Sequence, residues 1–547
     1  MKGDFARVSF DPSRHYSQVF QQQGRVLLEA DWNEQAQIQL HLLRTLVRDL
    51  VGPCWAAGGG FAITSSSPPN ADGSSKPLPL TDWQLAPGHF YVDGILCVNE
   101  AICTLAQQPY APTPDYGVAD GKSGFENPPA GFALWLDVWE RHLCAVEAPG
   151  IADVALDGVD TASRAQVVWQ LRLLDRMRAQ RQLDDVTAAL KARQAVASSP
   201  GDVAAIKQQL AEVAQLRKGL DGGDQGNASP CTLLRQLLGA RATYALPRLR
   251  AELAPQESDN DPCVIAADAR YRGCENQLYR VEIHQPGPAG TASFKWSREN
   301  GSVVFPVTRH ALGATAEDGS ASLTVTLGRL GRDARLGLAA NDWVELVDDH
   351  YTLGQRAYPL LQVIAVDLAG CSAILNVPKN ITPWPLDDDP RQHPLLRRWD
   401  QHDAVGAQGV LAVVEGAPIA LEDGIQVTFE PGGVYATGEY WLIPARVAGN
   451  GLLDWPSTGT APAALPPRGW HHHAVLGVTG DAGNYDECCC RFDSLCQLLQ
   501  AGNGQQAGKA AATSLPSVAG AAAAVPVAAK KSRARPAKKA AKVDKPA

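Results

Sequence analysis

No window of the chain approaches the roughly 18–20 consecutive apolar residues that a membrane-spanning helix needs. The opening residues are polar and mixed in charge, with no apolar core of a secretory signal. The expectation is therefore a protein made and kept in the cytoplasm, or exported only as part of a larger object. The twelve cysteines include no Cys-x-x-Cys pair, which leaves a zinc ribbon or thioredoxin-like site without support. No Gly-x-Ser-x-Gly elbow and no Gly-x-x-x-x-Gly-Lys-Ser/Thr loop occurs. That removes the usual sequence signs of a serine hydrolase and of a nucleoside-triphosphate site, although a triad is defined by geometry and not by a motif. There is no βα alternation and no repeat of fixed period.

What is present is a long chain, 547 residues, with 50 Gly and 13 Trp. That length suits several domains. The net charge of −9 is unevenly placed. Residues 503–547 hold nine Lys/Arg (Lys509, Lys530, Lys531, Arg533, Arg535, Lys538, Lys539, Lys542, Lys545) against Asp544 alone, a net of +8, which leaves −17 on residues 1–502. An acidic body argues against wholesale nucleic-acid binding. The Ala/Gly/Pro/Lys composition of 503–547 predicts a disordered basic tail. It could draw a weak anionic partner, but it has no aromatic residue to stack on bases.

The patterning predicts a mainly β fold: a multi-domain, β-sandwich or barrel-like body with an N-terminal helix and an inserted helical hairpin. Residues 1–53 read as an extended arm followed by an amphipathic helix that starts at Asp31, with Glu34 completing a capping box. Ile38, Leu42, Leu46 and Leu50 give it one apolar face, and Gly52-Pro53 stops it. Residues 54–177 read as a first β-rich domain. Within it, Asp93-Gly94 is a hairpin turn between apolar runs, and Phe132–Val146 and Val167–Leu174 are strands. Residues 178–222 read as a helical hairpin projecting from the body, with Ser199 as cap and Pro200 in the first turn of its second helix. Residues 223–502 read as a second β-rich region. Its clearest unit is Ser293–Ser297, Asn300-Gly301 and Ser302–Phe305, the strongest short hairpin signal in the chain.

Several clusters invite a chemical reading. His471, His472 and His473 with Cys488, Cys489 and Cys490 pair imidazole with thiolate, a combination suited to zinc. Their spacing matches no ligand pattern, so polar strand faces and buried free thiols are expected instead. Glu257/Asp259/Asp261, Asp348/Asp349 and Asp387/Asp388/Asp389 could serve calcium or glycoside hydrolysis; solvated loops are expected. Trp296, Arg298 and Glu299 could form a partner patch, and Trp135 and Trp139 share one strand face; both sets read as core and rim. No catalytic, cofactor-binding or metal residue is assigned, and no cofactor is expected.

Unusual segments recur in order along the chain. The opening joins Met1-Lys2-Gly3-Asp4-Phe5, Phe10-Asp11-Pro12, His15-Tyr16-Ser17, Gln22 to Val26 and Ala30 to Gln35. Later come Leu136 to His142, Arg270 to Gly273, Glu275 to His284, Phe294 to Val303, His393 to Asp400, Leu421 to Ile425 and Gly438 to Arg446. Together they resemble a family of uncharacterised proteins encoded beside phage-tail-like contractile injection systems. The resemblance spans roughly residues 1–490. It implies a non-enzymatic structural component of such a particle, an accessory baseplate, cap or surface protein, assembled in the cytoplasm into a particle whose release stays open. Its partners would be the other subunits, and self-association stays open. The alternatives are a glycan- or receptor-binding module and a polysaccharide-cleaving spike enzyme. The arm and helix at 1–50 are expected to dock on a neighbouring subunit, and their removal to leave the β body folded.

Overall fold

The computed structural model describes residues 1–67, 76–110, 131–156, 160–222, 229–254, 270–387, 389–403, 405–448, 451–459, 461–479 and 485–494. Glu257, Asp259, Asp261, Asp388 and the 503–547 tail lie outside the described residues. The body is mainly β, as the patterning predicts, and contains a closed barrel.

The first β unit is discontinuous. Strands Cys54–Ala57, Gly88–Val92 and Ile95–Asn99 form one sheet, and Phe132–Leu143 and Arg164–Asp175 form most of another. Each sheet is completed from far along the chain: Cys490–Phe492 pairs parallel to Cys54–Ala57, and His472–Thr479 pairs antiparallel to Phe132–Leu143. Phe90, Val92, Leu134, Leu136, Val138, Trp169 and Leu476 fill the core of this unit. The boundaries 54–177 and 223–502 are corrected accordingly. A pattern of short strands carries no information about which distant strand completes a sheet.

The hairpin at 178–222 is a three-helix bundle: α1 being Glu29–Val51, its members are α2 (Arg176–Val196), α3 (Pro200–Leu220) and α4 (Pro230–Tyr244). Ser199 caps α3 as expected, and Ser229 caps α4 through Thr232 N with Pro230 in the first turn. The same Ser-Pro signature stood in the sequence at 229–230. The bundle does not project freely. Leu183, Val186, Ile206, Val213 and Leu237 share a core with Ala133, Trp135 and Val475 of the sheet. A disulfide, Cys231–Cys488, ties α4 to that unit across 257 residues, which corrects the expectation of free thiols throughout.

The second β unit pairs a five-stranded sheet, built around Gln277–Ile283, Ser293–Ser297 and Tyr440–Arg446, with a smaller sheet of Leu249–Leu253, Pro418–Ala420 and Ile425–Phe429. Between Asn300 and Asp400 the chain leaves this sandwich to form a six-stranded barrel, ordered Val304–Leu312, Ala321–Leu327, Ser372–Val377, Leu361–Asp367, Trp343–Val347 and Leu395–Trp399. The Asn300-Gly301 turn is real, with φ of 52° and 66°, but it is not a hairpin. Ser293–Ser297 pairs within the sandwich and Val304–Leu312 within the barrel. The turn is the hinge-point where the chain changes sheets.

Candidate functional site

The strand Gln277–Ile283 is buried along its whole length. Its odd positions, Tyr279, Val281 and Ile283, enter an apolar core with Phe294, Trp296, Trp441 and Ile443. Its even positions must then carry the other face, and two of the three are charged, Arg280 and Glu282. Register sets Lys295 opposite Glu282, with Tyr440 on the other side. The barrel supplies Glu345, Arg397 and Trp399 to the same place, and α5 (Asp349–Gly354) supplies Tyr351.

The first residues of the chain run into this junction. Lys2 Nζ lies 3.0 Å from Glu282 Oε1, and Arg280 Nε donates to Glu282 Oε2 at 2.6 Å. Asn300 Nδ2 donates to the carbonyls of Met1 and Gly3 at 3.2 and 2.8 Å. The Met1 amine meets Tyr440 Oη. Lys295 bridges Glu282 and Glu345, while Trp399 Nε1 and Tyr351 Oη donate to Glu345 at 2.9 and 2.6 Å. Cation–π contacts seat Lys295 over Trp399 and Arg280 over Tyr440, 4.5 and 3.6 Å from the ring centres.

Burial by itself would push the Glu282 carboxyl up, but Lys2, Arg280 and Lys295 outweigh it and hold Glu282 well below the ordinary range. Burial and the Lys295 and Lys2 charges act on Glu345 in the same opposed way and leave it at about 2. Burial lowers Lys2 to about 8 against the pull of Glu282. These ions are committed to one another. The arrangement clamps the start of the chain, the sandwich sheet and the barrel together, and apart from Glu345 and Tyr351 its side chains come from the segments on which the family resemblance rests. Patterning missed the network. The available signal was charge inside strands that are otherwise apolar: Arg280, Glu282, Lys295, Glu345 and Arg397.

The other predicted clusters separate. Trp296 is core, as expected; Arg298 Nη2 donates to Glu422 at 2.7 Å, and Glu299 accepts from Arg335 at 2.8 Å. Asp348 caps α5 through Tyr351 N and accepts from Trp384 Nε1, so it is a buried cap and not a solvated loop residue. Asp349 pairs with Arg141 and His393 at 3.1 and 2.9 Å. Asp389 caps the short turn Pro390–Gln392, and Asp387 lies 3.8 Å from His350. His471 and His473 face one side, as their alternation requires, and both approach the buried Asp137, at 2.6 and 3.7 Å. Arg172 pairs with the second Asp137 oxygen at 3.0 Å. Trp139 stacks on His471 and Trp135 meets His473 edge-on. His472 pairs with Asp93 at 2.7 Å, Cys488 is in the disulfide, and Cys489 donates to Glu487. Among the described residues no group of three or more His, Cys, Asp or Glu stands where it could hold a metal ion.

The N-terminal helix differs from its expected form. α1 starts at Glu29, with Leu28 at the cap position and no side-chain cap; Asp31 lies in its first turn, and Glu34 accepts from Ser9 Oγ instead of closing a capping box. Ala6 N donates to Glu29 and Val19 N to Gln35, so the arm is laid on the helix. Arg44 grips Glu140 through two bonds of 3.0 and 2.8 Å. The expected apolar face splits. Ile38 is buried, but Leu42, Leu46 and Leu50 are exposed, together with Leu43 and Trp32.

The chain belongs to the family of unknown function DUF6519, whose match covers residues 1–547. No curated protein matches it. Among solved structures it is similar to one titled "Crystal structure of TssK", at 10% identity and a TM-score of 0.15, over 75% of this chain and 98% of that one; a likeness that slight carries no argument. Among the described residues no helix is long and apolar enough to cross a membrane.

Proposed function

We propose that this protein is a non-enzymatic structural component of a phage-tail-like contractile injection particle, an accessory baseplate, cap or surface protein. The particle itself is suggested by the resemblance of the ordered segments between Met1 and Arg446. The observation that carries a docking role is α1. A body that buries its other cores leaves Trp32 76%, Leu43 58%, Leu46 55% and Leu50 75% exposed along one helix. An uncovered run of this kind on a helix marks a contact surface. The charged residues of the resembling segments support a structural reading, since Lys2, Arg280, Glu282 and Lys295 are engaged with one another and with Glu345 of the barrel.

The docking element is the outward side of α1 and not the whole of residues 1–50. Lys2 and the backbone of Met1 and Gly3 are inside the clamp, so deleting 1–50 would open the body as well as remove the helix. The test is a tagged copy expressed in its own host and purified at mild salt, with the eluate read by mass spectrometry and negative-stain microscopy. Co-purification with sheath, tube and baseplate proteins is expected, and it is expected to be lost in Leu43→Glu/Leu46→Glu. A wild-type chain recovered without particle proteins would refute the reading.

A further inference from the structure

The outward residues of α1 fall at Trp32, Ala36, Gln39, Leu43, Leu46 and Leu50. Their spacings are four, three, four, three and four, the a/d seam of a coiled coil. The seam lies opposite the face that holds Ala30 and Ile38 against the body, so α1 has one side for its own chain and one free side. We propose that the occupant of the free side is α1 of a second copy of this chain, packed antiparallel across a two-fold axis. This rests on the docking reading above and names the partner.

Two observations commit the site to a second copy. The first is self-complementarity. An antiparallel register that sets Trp32 against Leu50 also sets Ala36 against Leu46 and Gln39 against Leu43. Every seam position then meets its counterpart type, a with d, and a two-fold contact requires such reciprocity. The small Ala36 receives the bulky Leu46, and the broad Leu50 end covers Trp32. Gln39 is a polar group inside the seam, a device that favours one register over others. The second is area. The exposed parts of Trp32, Leu40, Leu42, Leu43, Leu46 and Leu50 offer on the order of 700 Å² of surface, against about 800 Å² per partner in a standard interface.

The test uses the full chain, by size-exclusion chromatography with light scattering over a dilution series. The expected mass is twice 58.2 kDa. Leu46→Glu shifts it to the single-chain mass with an unchanged far-UV circular-dichroism spectrum, because the side chain is exposed in the single chain, and its thermal midpoint no longer varies with protein concentration. Adding Ala36→Lys restores the dimer, because the introduced lysine of one copy then meets the introduced glutamate of the other. A parallel pair would set lysine against lysine and would not be restored. A wild-type monomer at all concentrations overturns the proposal, as does a dimer indifferent to Leu46→Glu. If the wild type is monomeric but Leu43→Glu/Leu46→Glu still abolishes co-purification with particle proteins, the docking reading stands with a different subunit. If co-purification is also indifferent, both readings fall.

Discussion

Lys295 is the residue on which the clamp turns. It is almost fully buried between Glu282 and Glu345, and breaking a buried pair from one side leaves an uncompensated charge. Lys295→Met is expected to cost about 3–5 kcal/mol, read as a lowered urea midpoint, and Glu345→Gln added to it should recover part of the loss. An unchanged midpoint in the single variant would show that the network does not hold the body. His284, just past the end of the strand that carries Glu282, is buried, and burial with the nearby Lys295 charge lowers it to about 4. In the unfolded chain it titrates near its ordinary value of about 6.5. Between those values the unfolded state binds a proton that the folded state refuses, so stability falls as pH drops from about 6.5 to about 4, by roughly 3 kcal/mol for this group. Urea midpoints across that range should show the slope, and His284→Gln should reduce it, the remainder coming from His142 and His473, which burial also lowers.

At the scale of elements, α1 is seated by a glycine. Gly94 has φ of 80°, and a Cβ there would lie 2.3 Å from the Arg44 carbonyl. No side chain fits between the Asp93-Gly94 turn and the helix. Gly94→Ala is expected to lift α1, visible as faster amide exchange over residues 29–51 with the barrel unaffected; unchanged exchange would mean that Arg44–Glu140 alone suffices. The helix bundle is held differently. Cys231–Cys488 joins α4 to the end of the chain's return into the first unit, and a crosslink over so long a loop is worth about 2–4 kcal/mol. Non-reducing peptide mapping should recover the two cysteines in one linked species, and Cys231→Ser should lower the bundle's stability by that amount. Recovery of both as free thiols would refute the bridge.

The whole molecule is closed by its own distant parts. Strands His472–Thr479 and Cys490–Phe492 complete the sheets begun at Cys54 and Phe132, and the opening residues fill a junction made near residues 280, 300, 345 and 399. Removal of residues 1–10 is therefore expected to destabilise the second unit and barrel, whereas Leu43→Glu/Leu46→Glu should melt like the wild type at dilutions where the wild type is monomeric. Equal melting of both variants and the wild type would separate the arm from the fold. Five of the resembling segments, those at residues 1–5, 275–284, 294–303, 393–400 and 438–446, each place a side chain or backbone group at this one junction.

Local chemistry was legible in the chain. Alternation placed the long strand Phe132–Leu143, Ser199-Pro200 placed the start of α3, and the Asp93-Gly94 and Asn300-Gly301 pairs marked real turns with positive φ. These depend on near neighbours in the chain, whose sterics and hydrogen bonds act wherever the segment ends up. What only the tertiary structure decided is where each segment pairs. Asn300-Gly301 makes a turn in either a hairpin or a sheet exchange, and only the barrel's own strands determine the second. Ile38 and Leu46 look alike on one helix, yet burial of one and exposure of the other depends on what lies beside α1. Lys2, Glu282, Lys295 and Glu345 read as ordinary charges until folding brings them within ion-pair distance. Pairing across such separations is set by packing and electrostatics between parts that the order of residues does not make adjacent.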